Sequence, residues 1–117
     1  QLSVMKVNGP DISKYGVIVT DNKTGLVKGI IEKPDFESAP SDLASIGRYV
    51  LTPDIFDILR NQASGAGGEI QLADSINVQA VNNMVETVLL NGKRFDCGSV
   101  KGYVEAIKHM SFSYNFD

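Results

Sequence analysis

Two β-branched runs, Tyr15–Thr20 (YGVIVT) and Leu26–Glu32 (LVKGIIE), stand on either side of the five residues Asp21-Asn22-Lys23-Thr24-Gly25. Turn formers between strand-like segments predict a β-hairpin. Pro34 cannot donate to a ladder, so it ends the second strand, and the polar stretch Asp35–Asp42 reads as a surface loop. Leu43–Leu51 (LASIGRYVL) is apolar on both alternating faces, which predicts a central strand buried between layers. Gly47 interrupts it where a backbone or a ligand approaches closely.

The pattern then changes period. Thr52-Pro53-Asp54 sets a capping hydroxyl, a proline at the first helical position and an acid in the first turn ahead of Ile55, Phe56, Ile58 and Leu59. After the loop Ser64-Gly65-Ala66-Gly67-Gly68, Leu72, Ala73, Ile76 and Ala80 line one face of a helix reaching about Asn82, with Asp74 near its positive end. Val85–Leu90 predicts a strand and Arg94–Asp96 a short one. Ser99 caps a last helix with Tyr103, Ala106, Ile107 and Met110 inward. The helices cluster late, so the expected fold class is α/β with a mixed sheet, and no repeat is visible. Gln1 leads straight into strand-like sequence, as expected of a piece of a longer protein.

Composition narrows the function more than the fold. The 117 residues suit one domain, and 43% apolar against 21% charged residues is a folded composition. A net charge of -3 offers no broad basic field, so nucleic acid is not an expected partner. No apolar run approaches the length of a membrane span, which predicts a soluble protein. The single Cys97 cannot form an intrachain disulfide and points to a reducing, cytoplasmic setting.

Two places could carry chemistry. Glu32-Lys33-Pro34 puts an acid and a base at a strand end, either as a solvated terminus or as a carboxylate for sugar hydroxyls beside an ammonium for phosphate. In Phe95-Asp96-Cys97-Gly98 the carboxylate precedes a helix, either as a turn aspartate or as a ligand for a divalent cation shared with phosphates. The glycines of 65–68 lack the Lys-Ser/Thr pair of a phosphate loop. His109 has no partner at catalytic or ligand spacing, and Cys97 reads as a small buried residue.

Five stretches, in order, resemble bacterial UTP:glucose-1-phosphate uridylyltransferases: Ser13-Lys14-Tyr15-Gly16-Val17; Ile31-Glu32-Lys33-Pro34; Ala39-Pro40-Ser41 through Ile46-Gly47-Arg48-Tyr49-Val50-Leu51; Gly68-Glu69-Ile70-Gln71-Leu72; and Asp96-Cys97-Gly98 through Gly102-Tyr103. The resemblance runs over roughly residues 12 to 107, and Glu-Ile-Gln-Leu is its most specific piece.

That resemblance implies a fragment of a Rossmann-like, mixed-sheet nucleotide-diphospho-sugar transferase fold, with residues 1–117 its C-terminal, sugar-phosphate-binding part. It implies that UTP and glucose 1-phosphate give UDP-glucose and pyrophosphate with Mg2+. Glu32 would bond glucose hydroxyls, Lys33 would hold the phosphate, the backbone at Gly16 would approach the sugar, and Ile46 and Gly47 would wall it. Lys33 and Asp96 are thereby the catalytic candidates, and Asp96 a magnesium ligand whose partner aspartate lies in an earlier half. The nucleotide-binding loop of that half has no match here, so the isolated piece is expected to be inactive, with its sheet edge covered by rearrangement or as a homo-oligomer. A transferase for another nucleotide, such as a thymidylyl one, and a non-catalytic sugar-phosphate-binding module are the alternatives.

Overall fold

A computed structural model describes residues 1–65, 68–82 and 84–114. Its centre is a five-stranded sheet of β1 (Leu2–Lys6), β2 (Gly16–Thr20), β3 (Val27–Glu32), β4 (Leu43–Tyr49) and β5 (Thr87–Leu89), in the order β3-β2-β4-β1-β5. β2 pairs antiparallel with β3 and β4, β4 antiparallel with β1, and β1 parallel with β5, so the sheet is mixed as expected.

The hairpin forms where the two runs predicted it. Asp21 Oδ1 accepts the backbone N–H of Lys23 and of Thr24 and the Thr24 hydroxyl, at 2.8 to 3.0 Å, which folds the loop onto one carboxylate. Those bonds favour the ionised form and hold the Asp21 pKa below the usual carboxylate range.

Alternation along β2 sends its side chains to both layers. Ile18 joins Leu2, Val4, Val27, Ile30, Ile55, Ile76, Ala80 and Val85 in the larger core, while Val17 packs with Ile12 and Ala44 on the other face. Ile12 comes from a 3-10 turn, Pro10–Lys14, ahead of β2. A second 3-10 turn, Phe36–Ser38, lies in the loop predicted after Pro34.

β4 is central, but it is not buried between layers along its length. Ala44 is buried, whereas Gly47, Arg48 and Tyr49 are exposed, because no described element covers that end of the strand. α1 (Ile55–Asn61) buries Ile55 and leans Leu59 on the core, while Phe56 is 60% exposed.

α2 (Leu72–Val81) is turned relative to the expected face. It buries Ser75, Ile76, Gln79 and Ala80, while Leu72 is exposed and Ala73 half-buried. Both polar residues are satisfied, Ser75 donating to Gln62 Oε1 and Gln79 Nε2 to Thr52 Oγ1 and Asp54 Oδ2 at 3.1 and 3.0 Å. Asp54 is correspondingly held below its usual pKa, first by the Thr52 hydroxyl and then by the Gln79 amide.

Asn77, on the same helix, grips the edge strand β3. Its Oδ1 accepts from Ile30 N at 2.7 Å and its Nδ2 donates to Ile30 O at 3.2 Å, occupying backbone groups that would otherwise face outward. Part of the sheet edge is thus covered from within the chain.

The end of the chain departs most from expectation. Residues 94–96 form no strand. Asp96 Oδ1 instead accepts from Gly98 N at 3.1 Å, a turn that leaves Cys97 exposed rather than buried. Ser99 caps α3 (Val100–Tyr114) as predicted, accepting from Gly102 N at 3.1 Å. Tyr103, Ile107 and Met110 are 56%, 51% and 45% exposed: their helical spacing makes an apolar stripe, but no described layer lies over it. α3 is seated through buried Gly102, half-buried Ala106 and the contact of the His109 and Phe95 rings, 5.3 Å between centroids. No helix among the described residues is long and apolar enough to cross a membrane.

Candidate functional site

Cross-strand pairing sets Gly16, at the start of β2, directly opposite Glu32, at the end of β3. The absent side chain matters: a Cβ at Gly16 would stand 2.9 Å from Glu32 Oε2 and 3.0 Å from Ile30 Cγ2. The carboxylate therefore lies across the glycine and over a cleft of about 300 Å³.

Ile46 and Gly47 of β4 form another wall, joined by Ser45, Tyr49, Tyr15 and Arg94. Gly47 has φ +75°, in the left-handed region, so glycine lets the strand turn there without a steric cost. Four residues singled out in the sequence, Gly16, Glu32, Ile46 and Gly47, thus border one hollow of ligand size.

Lys33 and Asp96 are not among the residues lining it. Lys33 follows Glu32 directly, and its backbone N–H donates to Tyr15 O at 3.0 Å, beside the cleft wall. Its φ of +46° is left-handed in a non-glycine residue, a strained conformation. Asp96 lies two residues beyond the lining residue Arg94, and one oxygen of its exposed carboxylate holds the turn to Gly98. Among the described residues no three of His, Cys, Asp and Glu gather as a metal-binding group.

Sequence reasoning missed Arg94 and Tyr15. The Arg94 guanidinium sits 5.3 Å from the centroid of the Tyr15 ring, and Nη1 lies 3.4 Å from the hydroxyl. Lys14, also on the rim, is held by Asp11 at 2.6 Å, and this bond raises its pKa and keeps it cationic. No ion pair among the described residues involves Arg94. No local pattern announces the Arg94–Tyr15 contact, because 79 residues separate the two.

The nucleotidyl transferase family profile matches residues 1–112. The chain belongs to the nucleotidyl transferase family. A UTP–glucose-1-phosphate uridylyltransferase of Pseudomonas aeruginosa is 48% identical to it over 108 residues, covering 90% of this chain and 39% of that protein. The solved structure of a UDP-glucose pyrophosphorylase complexed with UDP-glucose superposes with a TM-score of 0.82 at 43% identity, over 96% of this chain and 44% of the other. A UTP-bound enzyme from Acinetobacter baumannii gives 0.82 at 34% identity, over 97% and 40%. This nucleotidyl transferase chain therefore spans about two fifths of the curated relative it matches, and its relatives bear the names of uridylyltransferases.

Proposed function

We propose that this segment holds glucose 1-phosphate in a protein that converts UTP and glucose 1-phosphate to UDP-glucose and pyrophosphate. The observation that carries the reading is the meeting of Gly16, Glu32, Ile46 and Gly47 around one cleft, in a chain whose relatives are named for that reaction. Glu32 accepts hydrogen bonds from sugar hydroxyls, which are stronger for its charge. The bare backbone at Gly16 lets the sugar ring approach, and Ile46 packs against its apolar face.

A phosphate oxygen of the bound sugar attacks the α-phosphorus of UTP, and the bond from that phosphorus to the bridging β-phosphate oxygen breaks with its electrons on departing pyrophosphate. Catalysis of such a transfer is mainly positioning and charge neutralisation. In this reading Lys33 steadies the phosphate of glucose 1-phosphate. Asp96 has carboxylate lone pairs left after its bond to Gly98 and would be one ligand for Mg2+, which commonly takes one or two carboxylates plus substrate phosphates. An ion held by Asp96 would supply charge that offsets that of the phosphates.

Cytoplasm is the proposed location, in keeping with a free, exposed Cys97. The test is pyrophosphate release by the full-length protein, supplied with glucose 1-phosphate and either UTP or dTTP. Turnover with UTP and little with dTTP is expected, and none from residues 1–117 alone. Absence of UTP-dependent turnover in the intact protein rejects the reading.

A further inference from the structure

Asparagine precedes glycine at two places, Asn8-Gly9 and Asn91-Gly92. That pair is chemically labile, because a following residue without a Cβ lets its backbone nitrogen reach the carbon of the asparagine side-chain amide. At 91–92 the approach is open. Both residues are exposed, Gly92 has φ +149°, and nothing stands within 4 Å of where a Cβ on it would project. Lys93 and Arg94 follow directly, and cations there favour the amide anion of Gly92 that makes the attack.

Freedom of the main chain separates the two pairs. Leu90 N donates to Val4 O at 2.8 Å, and the next backbone group along the chain to be hydrogen-bonded among the described residues is Asp96 O, which accepts from Ser99 N. A segment without such bonds over 91–95 reaches the cyclising conformation at little cost. Asn8 is flanked by restraints on both sides: Val7 N donates to Asp42 O at 2.9 Å, Gly9 O accepts from Ile12 N at 3.2 Å, and the ring of Pro10 fixes the backbone that follows.

We infer that Asn91-Gly92 is a site of spontaneous deamidation, and that its product loosens the Arg94 rim of the cleft. The Gly92 nitrogen bonds to Cγ of Asn91, and the side-chain nitrogen leaves as ammonia. Water then opens the succinimide at either carbonyl, giving aspartate or isoaspartate. Isoaspartate carries the chain onward through its side-chain carbon, which adds a methylene of about 1.5 Å to the main chain three residues before Arg94. Either product sets a carboxylate near Lys93 and Arg94. At 3.4 Å the contact of Arg94 Nη1 with the Tyr15 hydroxyl is already near the limit of a hydrogen bond, so a displacement of that size breaks it. The chemistry at residue 91 is independent of the proposed function; only its effect on glucose 1-phosphate rests on that reading.

The experiment ages the full-length protein in mildly alkaline buffer beside its Asn91→Ser and Asn8→Ser variants. Peptide mapping by mass spectrometry locates the product, and methyl transfer from S-adenosylmethionine by an isoaspartyl methyltransferase counts it. Modification at Asn91 ahead of Asn8 is expected, abolished in Asn91→Ser and retained in Asn8→Ser. Calorimetric titration should then show glucose 1-phosphate bound about threefold more weakly by aged than by fresh parent, with no such change in aged Asn91→Ser. An intact Asn91 in the aged parent, or modification at Asn8 first, overturns the site. Unchanged affinity in a parent modified at residue 91 overturns the loosening of the rim. Isoaspartate at residue 91 in a protein without UTP-dependent turnover sustains the site while rejecting the proposed function.

Discussion

Gly16→Ala isolates the geometry on which the proposed sugar cleft depends. The new methyl would meet Glu32 Oε2 at 2.9 Å and Ile30 Cγ2 at 3.0 Å, about half an ångström inside ordinary contact. Ile30 is 6% exposed and locked in the larger core, whereas Glu32 is exposed, so the carboxylate is the group that yields. Compression against Ile30 should cost about 1 kcal/mol of stability. In the proposed reading, displacing the carboxylate removes a charged hydrogen bond to the sugar, worth about 1.5–3 kcal/mol, or roughly 10- to 150-fold in affinity. Calorimetric titration of the full-length protein with glucose 1-phosphate measures this, and thermal denaturation checks the fold. Glu32→Gln should fall in the same direction. Gly16→Ala binding within twofold of the parent, or a loss in Gly16→Ala with none in Glu32→Gln, would refute the reasoning.

Lys33→Gly relieves the left-handed φ of +46° and should raise unfolding stability by about 1 kcal/mol in urea titrations, while lowering sugar-phosphate affinity if the ammonium steadies the phosphate. Asn77→Ala strips both bonds from Ile30 and should destabilise by about 1–3 kcal/mol, read as a lower denaturation midpoint with little change in slope. Asp21, with its folded pKa depressed chiefly by the Thr24 and Lys23 N–H groups, contributes stability that is present above about pH 4 and lost as pH falls through the depressed value. The stability gap between the parent and Asp21→Asn, followed by denaturant titration, should therefore narrow between about pH 5 and about pH 2.

What the sequence made legible was local. The hairpin could be read because Val17, Ile18, Ile30 and Ile31 alternate around a turn that Asp21 organises through bonds spanning three residues. The rotation of α2 could not, because Ser75 and Gln79 are buried only by virtue of partners at Gln62, Thr52 and Asp54, just after and just before another helix. Polar residues look like a solvated face until their acceptors are placed. The stripe on α3 was legible as apolar, but spacing does not say what covers it. At the site, Glu32 was singled out by its chemistry and Gly16, Ile46 and Gly47 by the resemblance, and Glu32 and Gly16 meet because pairing register puts them opposite. Arg94 was invisible because its partner Tyr15 lies far away along the chain, and its neighbour Lys93 offered no distinguishing signal.

The long reach from Arg94 to Tyr15 also orders events in time. A nascent chain that has emerged only through Tyr49 already possesses the hairpin and the strand beside it, yet its hollow lacks a rim. Closing a loop of that size comes late on entropic grounds, after contacts between near neighbours have formed. Affinity for a ligand in that hollow should thus be acquired only once Arg94 has emerged, and forfeited early when the segment that carries it is loosened.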